Sequence, residues 1–506
     1  MIIRDMVEGR KRSIDRRLNG PIEQDFSKPM FSASNIHYEL ADRTRAVSYG
    51  GIGLVQRLVG EIGLAESIDK RLHLLKIHLP YHESDHVLNI AYNALCEGRC
   101  LEDIELRRND ETFLDALGTQ RIPDPTTEGD FCRRFTSASQ IRQLEEGIHE
   151  ARLKVWAKQP PKFFEQAIID MDGHVVGTDG ECKKGMDIAY NGTWGYHALI
   201  VSLANTKEVL SIVNRSGNRP SHEGAAGECD RAIDLCRRAG FRKILLRGGT
   251  DFSQTKHLDR WDADGTVFHF GYDATPNLKE IVEDLPKSSW KKLTRPPRYE
   301  VQTRTRRRPR NVKKKIVRQR EFDVLNLKSE EVAEFKYRPT RCERAYRMVV
   351  VRKSISHEKG ERRIFDEMRH FFYITNDRGS TPAEVVFSCN DRCDQENLIE
   401  QLKNGVRAMS APVDNLFSNW AYMVMTSLAW NLKAWWALCL PEKGRWAKQH
   451  CEEKQQLLKM EFRTFVNCMM KIPCQIIRTG RRLVYRLLGW NRWLGVFRRL
   501  TVELNC

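Results

Sequence analysis

The sequence predicts a mixed α/β protein: an all-helical N-terminal domain, a mixed sheet carrying a β-rich insertion, and a helical end. Three observations predict it. From Gly51 to about Gln159 apolar residues recur at helical spacing, as in Leu54, Leu58 and Ile62 or Val87, Ile90 and Ala94. After Pro160-Pro161 the pattern changes to short apolar runs with turns between them, the texture of strands. Strong helical spacing with an acidic residue on it returns only after Ser388, which marks the β-prone stretch before it as an insertion. At 506 residues the chain is too long for one ordinary core, so two or three domains are expected.

Composition narrows the function. A hydrophobic share of 41% beside 30% charged residues is that of a globular protein. The net charge of +17 and a pI near 9.3 point to a polyanionic partner, with nucleic acid the default. Met1-Ile2-Ile3-Arg4-Asp5 opens no apolar core followed by a small-residue cleavage site, which predicts a cytoplasmic protein. The 14 cysteines contain no Cys-x-x-Cys pair, and Cys96/Cys100 and Cys389/Cys393 have no matching His or Cys cluster, which argues against structural zinc and for packed thiols. The apolar run from Trp420 to Leu440 is interrupted by Asn431 and Lys433, so a buried helix is expected there and no membrane partner.

In chain order, residues 1–45 are polar and aperiodic and read as an N-terminal arm. Residues 46–160 form the helical domain, expected to bind DNA or support assembly. Within it, Pro125-Thr126-Thr127-Glu128 opens a helix carrying Arg133 and Arg134, a shape that suits a recognition helix or a solvated basic helix. The α/β domain spans 161–267 and 386–445. Its strands are expected at Ala167–Asp172, Tyr196–Ser202, Val209–Val213 and Arg242–Arg247, with a helix from about Ala225 to Ala239. The insertion, 268–385, holds strands at Tyr346–Val351 and Phe371–Thr375. It also holds a run from Arg304 to Arg320 with ten Lys or Arg residues, among them Arg304, Arg306, Arg307, Arg308, Arg310, Lys313, Lys314 and Lys315, a candidate phosphate-backbone contact. Residues 446–506 read as a basic helical region.

Two groups of residues carry chemistry. Asp170-Met171-Asp172-Gly173 ends an apolar run, with Gly173 expected to mark the turn where the strand leaves the sheet. Arg392, Glu396 and Lys403 stand at i, i+4 and i+11 on a predicted helix opened by Asn390-Asp391-Arg392, nearly one face. Either group alone has an ordinary explanation, an Asx-turn for the first and surface ion pairs for the second. Together they supply carboxylates for divalent metal and cations for scissile phosphates, the needs of phosphodiester hydrolysis and transfer.

Cys389-x-x-Arg392-x-x-x-Glu396-x-x-x-x-x-x-Lys403 resembles the Tyr-Arg-Glu-Lys signature of bacterial insertion-sequence transposases of the DDE class, with Cys389 at the usual Tyr. Asp170-Met171-Asp172-Gly173, Tyr190-Asn191-Gly192, Gly195-Tyr196-His197, Ser216-Gly217-Asn218, Ser221 and Gly224-Ala225 are also similar to that family, over roughly 50–500. The resemblance implies a ribonuclease H-like sheet and metal-dependent cleavage and strand transfer at element ends. It implies two Mg2+ or Mn2+ ions, with double-stranded DNA as partner (terminal inverted repeats and target) and a homodimer on that DNA in a nucleoid-associated setting. Asp172, or Asp170 beside it, would be the first carboxylate and Glu396 the third, with Arg392 and Lys403 assisting. The second carboxylate falls at Gly249, so either Asp251 replaces it or the protein is a catalytically impaired DNA binder. A haloacid-dehalogenase phosphatase, which also opens on Asp-x-Asp-Gly, is the competing enzyme, but His174 stands where that family has Thr.

Overall fold

The computed structural model describes residues 2–20, 36–38, 44–78, 80–295, 312–360, 362–480 and 482–505. A helix covers Ile2–Asn19 where an arm without regular structure was expected. Asp5 in its first turn and Arg16 and Arg17 in its last favour it, and Val7 packs against the core from its half-buried face. Arg10 fastens this helix to the other end of the chain by donating to the carbonyls of Leu487 at 2.8 Å and Gly489 at 3.2 Å.

Between 52 and 156 the described residues form only helices and their connections, ending in α1 (Ala138–Trp156). Ser137 and Gln140 cap α1 reciprocally, and Ile141, Leu144, Ile148, Ala151 and Val155 supply its buried stripe at alternating three- and four-residue steps. The helical region is not a separate globule: a single hydrophobic core runs continuously from Val47 through the sheet to Leu504.

The sheet begins with β1 (Gln166–Gly177), β2 (Trp194–Leu203) and β3 (Glu208–Val213), joined as antiparallel neighbours. Helix α2 (Ala225–Ala239) follows, stopped by Gly240 in the left-handed region (φ 96°), as its sequence requires. It leads to β4 (Lys243–Gly248) and β5 (Val267–Tyr272), both parallel to the strand before them in the sheet. Three long antiparallel strands, β6 (Asp323–Tyr337), β7 (Tyr346–Lys359) and β8 (Arg362–Thr375), then extend the same sheet. The order is β3-β2-β1-β4-β5-β8-β7-β6, with two-residue strands Asp187–Ile188 and Lys291–Lys292 on β2 and β6, ten strands in all. The expected insertion is therefore not a block beside the sheet. Its start at 268 falls inside β5, which belongs to the parallel core, because Phe268 and Phe270 are fully buried core residues.

Its end at 385 falls inside a helix. Thr381 caps α3 (Pro382–Asp391) by accepting from the Glu384 amide at 3.3 Å, with Pro382 at its first position, so helix begins before Ser388. Arg392 forms the junction to α4 (Cys393–Glu400), which runs into a wide π-type turn over Gln401–Gly405. Helix α5 (Leu416–Leu438) follows, and every residue from Ser418 to Leu438 is buried. Among the described residues no helix is long and apolar enough to cross a membrane; α5 is the buried helix its sequence announced.

The polar groups in and around α5 join helices to sheet. Glu208, fully buried, accepts from Trp156 Nε1 at 2.8 Å, Trp435 Nε1 at 2.7 Å, Arg152 Nε at 3.0 Å and Thr206 Oγ1 at 2.6 Å. Asn431 holds the backbone of Val209 in both directions. The C-terminal region departs from the helical expectation by forming a hairpin, Cys474–Thr479 with Arg482–Leu487, which pairs with Ala46–Val47 near the chain start. Its alternating Ile476 and Cys474 burial has the period of a strand, a signal that the surrounding arginines obscure.

Candidate active site

Residues Asp170, Asp172 and His174 share the face of β1 turned toward α4, while Met171 and Gly173 face α2, where Met171 meets Cys229 at 3.3 Å. The strand does not end at Gly173 but continues to Gly177, so Asp172 lies within it. Gly173 serves proximity rather than a turn: a Cβ there would stand 2.7 Å from His197 Nε2 and 3.2 Å from Ser221 Oγ. Gly195 and Gly217 are likewise structural, since a Cβ on either would collide with backbone carbonyls of neighbouring strands.

Asp170 pairs with Arg247, its neighbour in register on β4, through two bonds of 2.7 Å, from Nε to Oδ1 and from Nη2 to Oδ2. Both residues are buried, and Arg247 also donates to the Ser388 carbonyl at 2.9 Å, tying the sheet to α3. Burial pushes the Asp170 carboxyl upward against the pull of Arg247. Asp170 is thus buried, at 1% exposure, with both carboxylate oxygens held by Arg247.

Asp172 is the accessible carboxylate. Its Oδ2 accepts from Arg392 Nη1 at 2.8 Å and its Oδ1 from the Gly173 amide at 2.9 Å. Arg392 is brought there because the first turn of α4 is pinned in place. Gln395 Nε2 donates to the Ile200 carbonyl at 3.2 Å and its amide oxygen accepts from Ser202 Oγ, while Lys207 reaches Asp394 at 2.6 Å. Lys207 sits in the β2–β3 turn with φ 62°. Gln395, Ser202 and Lys207 were not singled out by sequence reading, because no spacing links residues nearly two hundred positions apart.

Glu396 is exposed, one helical turn beyond Arg392, and makes no hydrogen bond or ion pair to a described residue. Lys403 does not extend a regular helical face as the i+11 spacing predicted, because it lies in the wide turn, a feature that often marks functional sites. It still reaches the site electrostatically. Burial chiefly, then Lys403 and His197, push the His174 imidazole below its ordinary value, against Asp172 and Glu400.

Gly249 follows β4 on the Arg392 side. Its backbone is extended (φ −69°, ψ −171°), and a Cβ on it would lie 3.8 Å from Arg392 Nη2 and 3.9 Å from Cζ, ordinary contact distances. Asp251 is exposed; burial chiefly lowers the His197 imidazole, against its hydrogen bond to the Arg219 carbonyl and the charges of Asp172 and Asp251. Among the described residues no three His, Cys, Asp or Glu side chains converge as a metal site.

The basic segment falls mostly outside the described residues: Arg304, Arg306, Arg307, Arg308 and Arg310 lie there, as does the Lys314 side chain. Lys313 and Lys315 are exposed on a helix over Val312–Gln319. On the expected recognition helix, Pro125–Arg133, one arginine is already committed: Arg133 pairs with Asp130 at 2.8 Å and Asp414 at 2.9 Å.

Residues 32–505 match the family described as transposase DDE domain group 1. Among solved structures the chain is similar to one described as a cryo-EM structure of piggyBac transposase synaptic complex with hairpin DNA. The identity is 11% and the TM-score 0.39, over 84% of this chain and 81% of that one. No curated protein matches it.

Proposed function

The chain belongs to the transposase DDE domain group 1 family, and from that premise we propose that it engages the ends of an insertion sequence on a ribonuclease H-like sheet, with Asp172 and Glu396 as two of three site carboxylates and Gly249 at the third position. The observation that carries this reading is the neighbourhood of Gly249: its missing side chain would meet the guanidinium that already holds Asp172. Support for the sheet comes from the three antiparallel strands followed by two parallel ones, with α4 across the strand that bears Asp172.

Two divalent cations, when bound, would activate the attacking oxygen of a phosphodiester and stabilise the leaving one. The residues present do not fit that pair of ions. Glycine offers no ligand at 249, Asp170 is sealed by Arg247, and Asp172 is partnered by Arg392. The chain's own groups instead bind and orient: cations over the surface hold DNA phosphates, and Arg392 and Lys403 bring positive charge to the site. The protein is thus an impaired transposase that binds terminal inverted repeats and target DNA as a homodimer and has lost efficient strand cleavage.

Metal-dependent nicking of DNA carrying the element's own ends tests this. Wild type should nick weakly or not at all, Gly249→Asp should gain nicking, and Glu396→Gln added to Gly249→Asp should remove the gain. A second reading has its own observation: Asp251 acts on His197 together with Asp172, so it is not remote from the site. A wild type that nicks efficiently and is silenced by Asp251→Ala would make Asp251 the working ligand and the impaired reading wrong.

A further inference from the structure

Arg392 is only partly used. Its side chain is 21% exposed, Nη1 donates to Asp172, and Nε and Nη2 have no hydrogen-bond partner among the described residues. Nη2 lies beside the space that a side chain at 249 would fill. A guanidinium with unpaired donors facing a gap is a receptor for an oxyanion, which it binds by charge-assisted hydrogen bonds in a fixed plane. Among the described residues no carboxylate makes a hydrogen bond or ion pair to Nε or Nη2. Both oxygens of Asp170 are held by Arg247, both of Asp172 have donors, and Glu396 makes no hydrogen bond or ion pair to Arg392. The cationic Lys403 acts on the same side of β1, through His174.

We propose that the gap between Gly249 and Arg392 is an oxyanion site: a backbone phosphate oxygen of the DNA end sits where a carboxylate would otherwise stand, held by Nη2 and Nε of Arg392, with no divalent cation taking part. This rests on the DNA-end reading above and adds how that end is held. The same loss that removes a metal ligand removes a negative charge, so the phosphate is admitted directly to the guanidinium. An aspartate at 249 would reverse this, since its own carboxylate would take the guanidinium and repel the phosphate until a cation bridged the two.

The test is fluorescence anisotropy on a labelled duplex carrying the terminal repeat that flanks the gene, with EDTA or with Mg2+ at constant ionic strength. Competition of Mg2+ with counter-ions acts on all variants alike, so the ratio between variants is the readout. Wild-type affinity should match in both buffers once that common effect is divided out. Gly249→Asp should bind about tenfold more weakly than wild type in EDTA, on the scale of one charge-assisted hydrogen bond, and recover in Mg2+. Gly249→Asn has the same bulk without the charge, so a loss shared by both variants would overturn the proposal, as would Mg2+-dependent binding by wild type. Thermal melts of both variants establish that they fold, as the extended backbone at 249 allows. Absence of DNA binding by wild type would overturn the DNA-end reading itself, whereas wild-type binding that requires metal would overturn only the oxyanion site.

Discussion

Asp170–Arg247 and Asp172–Arg392 are the same chemical pair, their aspartates two residues apart on the same face of β1, and they differ in depth and in how fully their donors are used. In the first, both side chains are buried (1% and 6% exposed), two parallel bonds join them, and the arginine also braces Ser388. In the second, the side chains are 25% and 21% exposed, one bond joins them, and two guanidinium nitrogens have no partner among the described residues. Residue type does not separate architecture from function here. Depth and the number of committed donors do, because a buried charge must be fully satisfied whereas a half-exposed one stays available.

The contrast would break first at Arg247. Arg247→Ala leaves Asp170 buried without its partner and should cost about 3–5 kcal/mol of stability in urea unfolding. A loss under about 1 kcal/mol would show the pair to be dispensable to the fold. A third buried charge sharpens the point, because it has no carboxylate at all. Among the described residues Lys433 donates only to the Leu458 carbonyl at 3.0 Å; it lies over the Trp430 ring, and burial lowers its ammonium from 10.5 to about 7. The unfolded chain therefore binds more protons between about pH 7 and 10.5, so this residue's destabilising effect is full below pH 7 and fades as pH rises through that window. Relative to Lys433→Met, wild-type stability should rise by at most about 1.4 kcal/mol per pH unit there. Parallel pH profiles for the two proteins would mean that Lys433 is not protonated differently on folding.

Arg392→Ala should cost no more than about 1 kcal/mol of stability, as expected of a half-exposed pair, yet weaken DNA binding about tenfold. Melting-temperature loss equal to that of Arg247→Ala would erase the distinction. The smallest structural effect is expected at Lys313 and Lys315, both exposed. Their double replacement by Ala should leave stability within about 0.5 kcal/mol and lower the salt slope of DNA binding by about 2. An unchanged slope would remove that helix from the DNA.

Much of the fold was legible because periodicity reports burial. Helix α2 was readable at about its observed bounds, Ala225 to Ala239, and α5 from an apolar run too polar at Asn431 and Lys433 for a membrane. The boundaries of the β-rich stretch were not legible, because β5 and β8 look alike in sequence and only pairing assigns one to the parallel core and joins the other beside it. Helix α3 was missed although Thr381-Pro382-Ala383-Glu384 carries a capping signal.

What the sequence by itself determined is the chemistry available: an excess of cations, Asp170 and Asp172 two apart on one strand face, Arg392 and Glu396 a turn apart, and glycine at 249. These are local facts, set by composition and by the two- and 3.6-residue periods. Only the tertiary structure decided which aspartate is sealed, that Arg392 crosses 220 residues to hold the other, and that the gap at Gly249 opens onto that guanidinium rather than onto Asp251. Long-range pairing and depth below the surface set electrostatic environment, and neither leaves a mark in a single sequence.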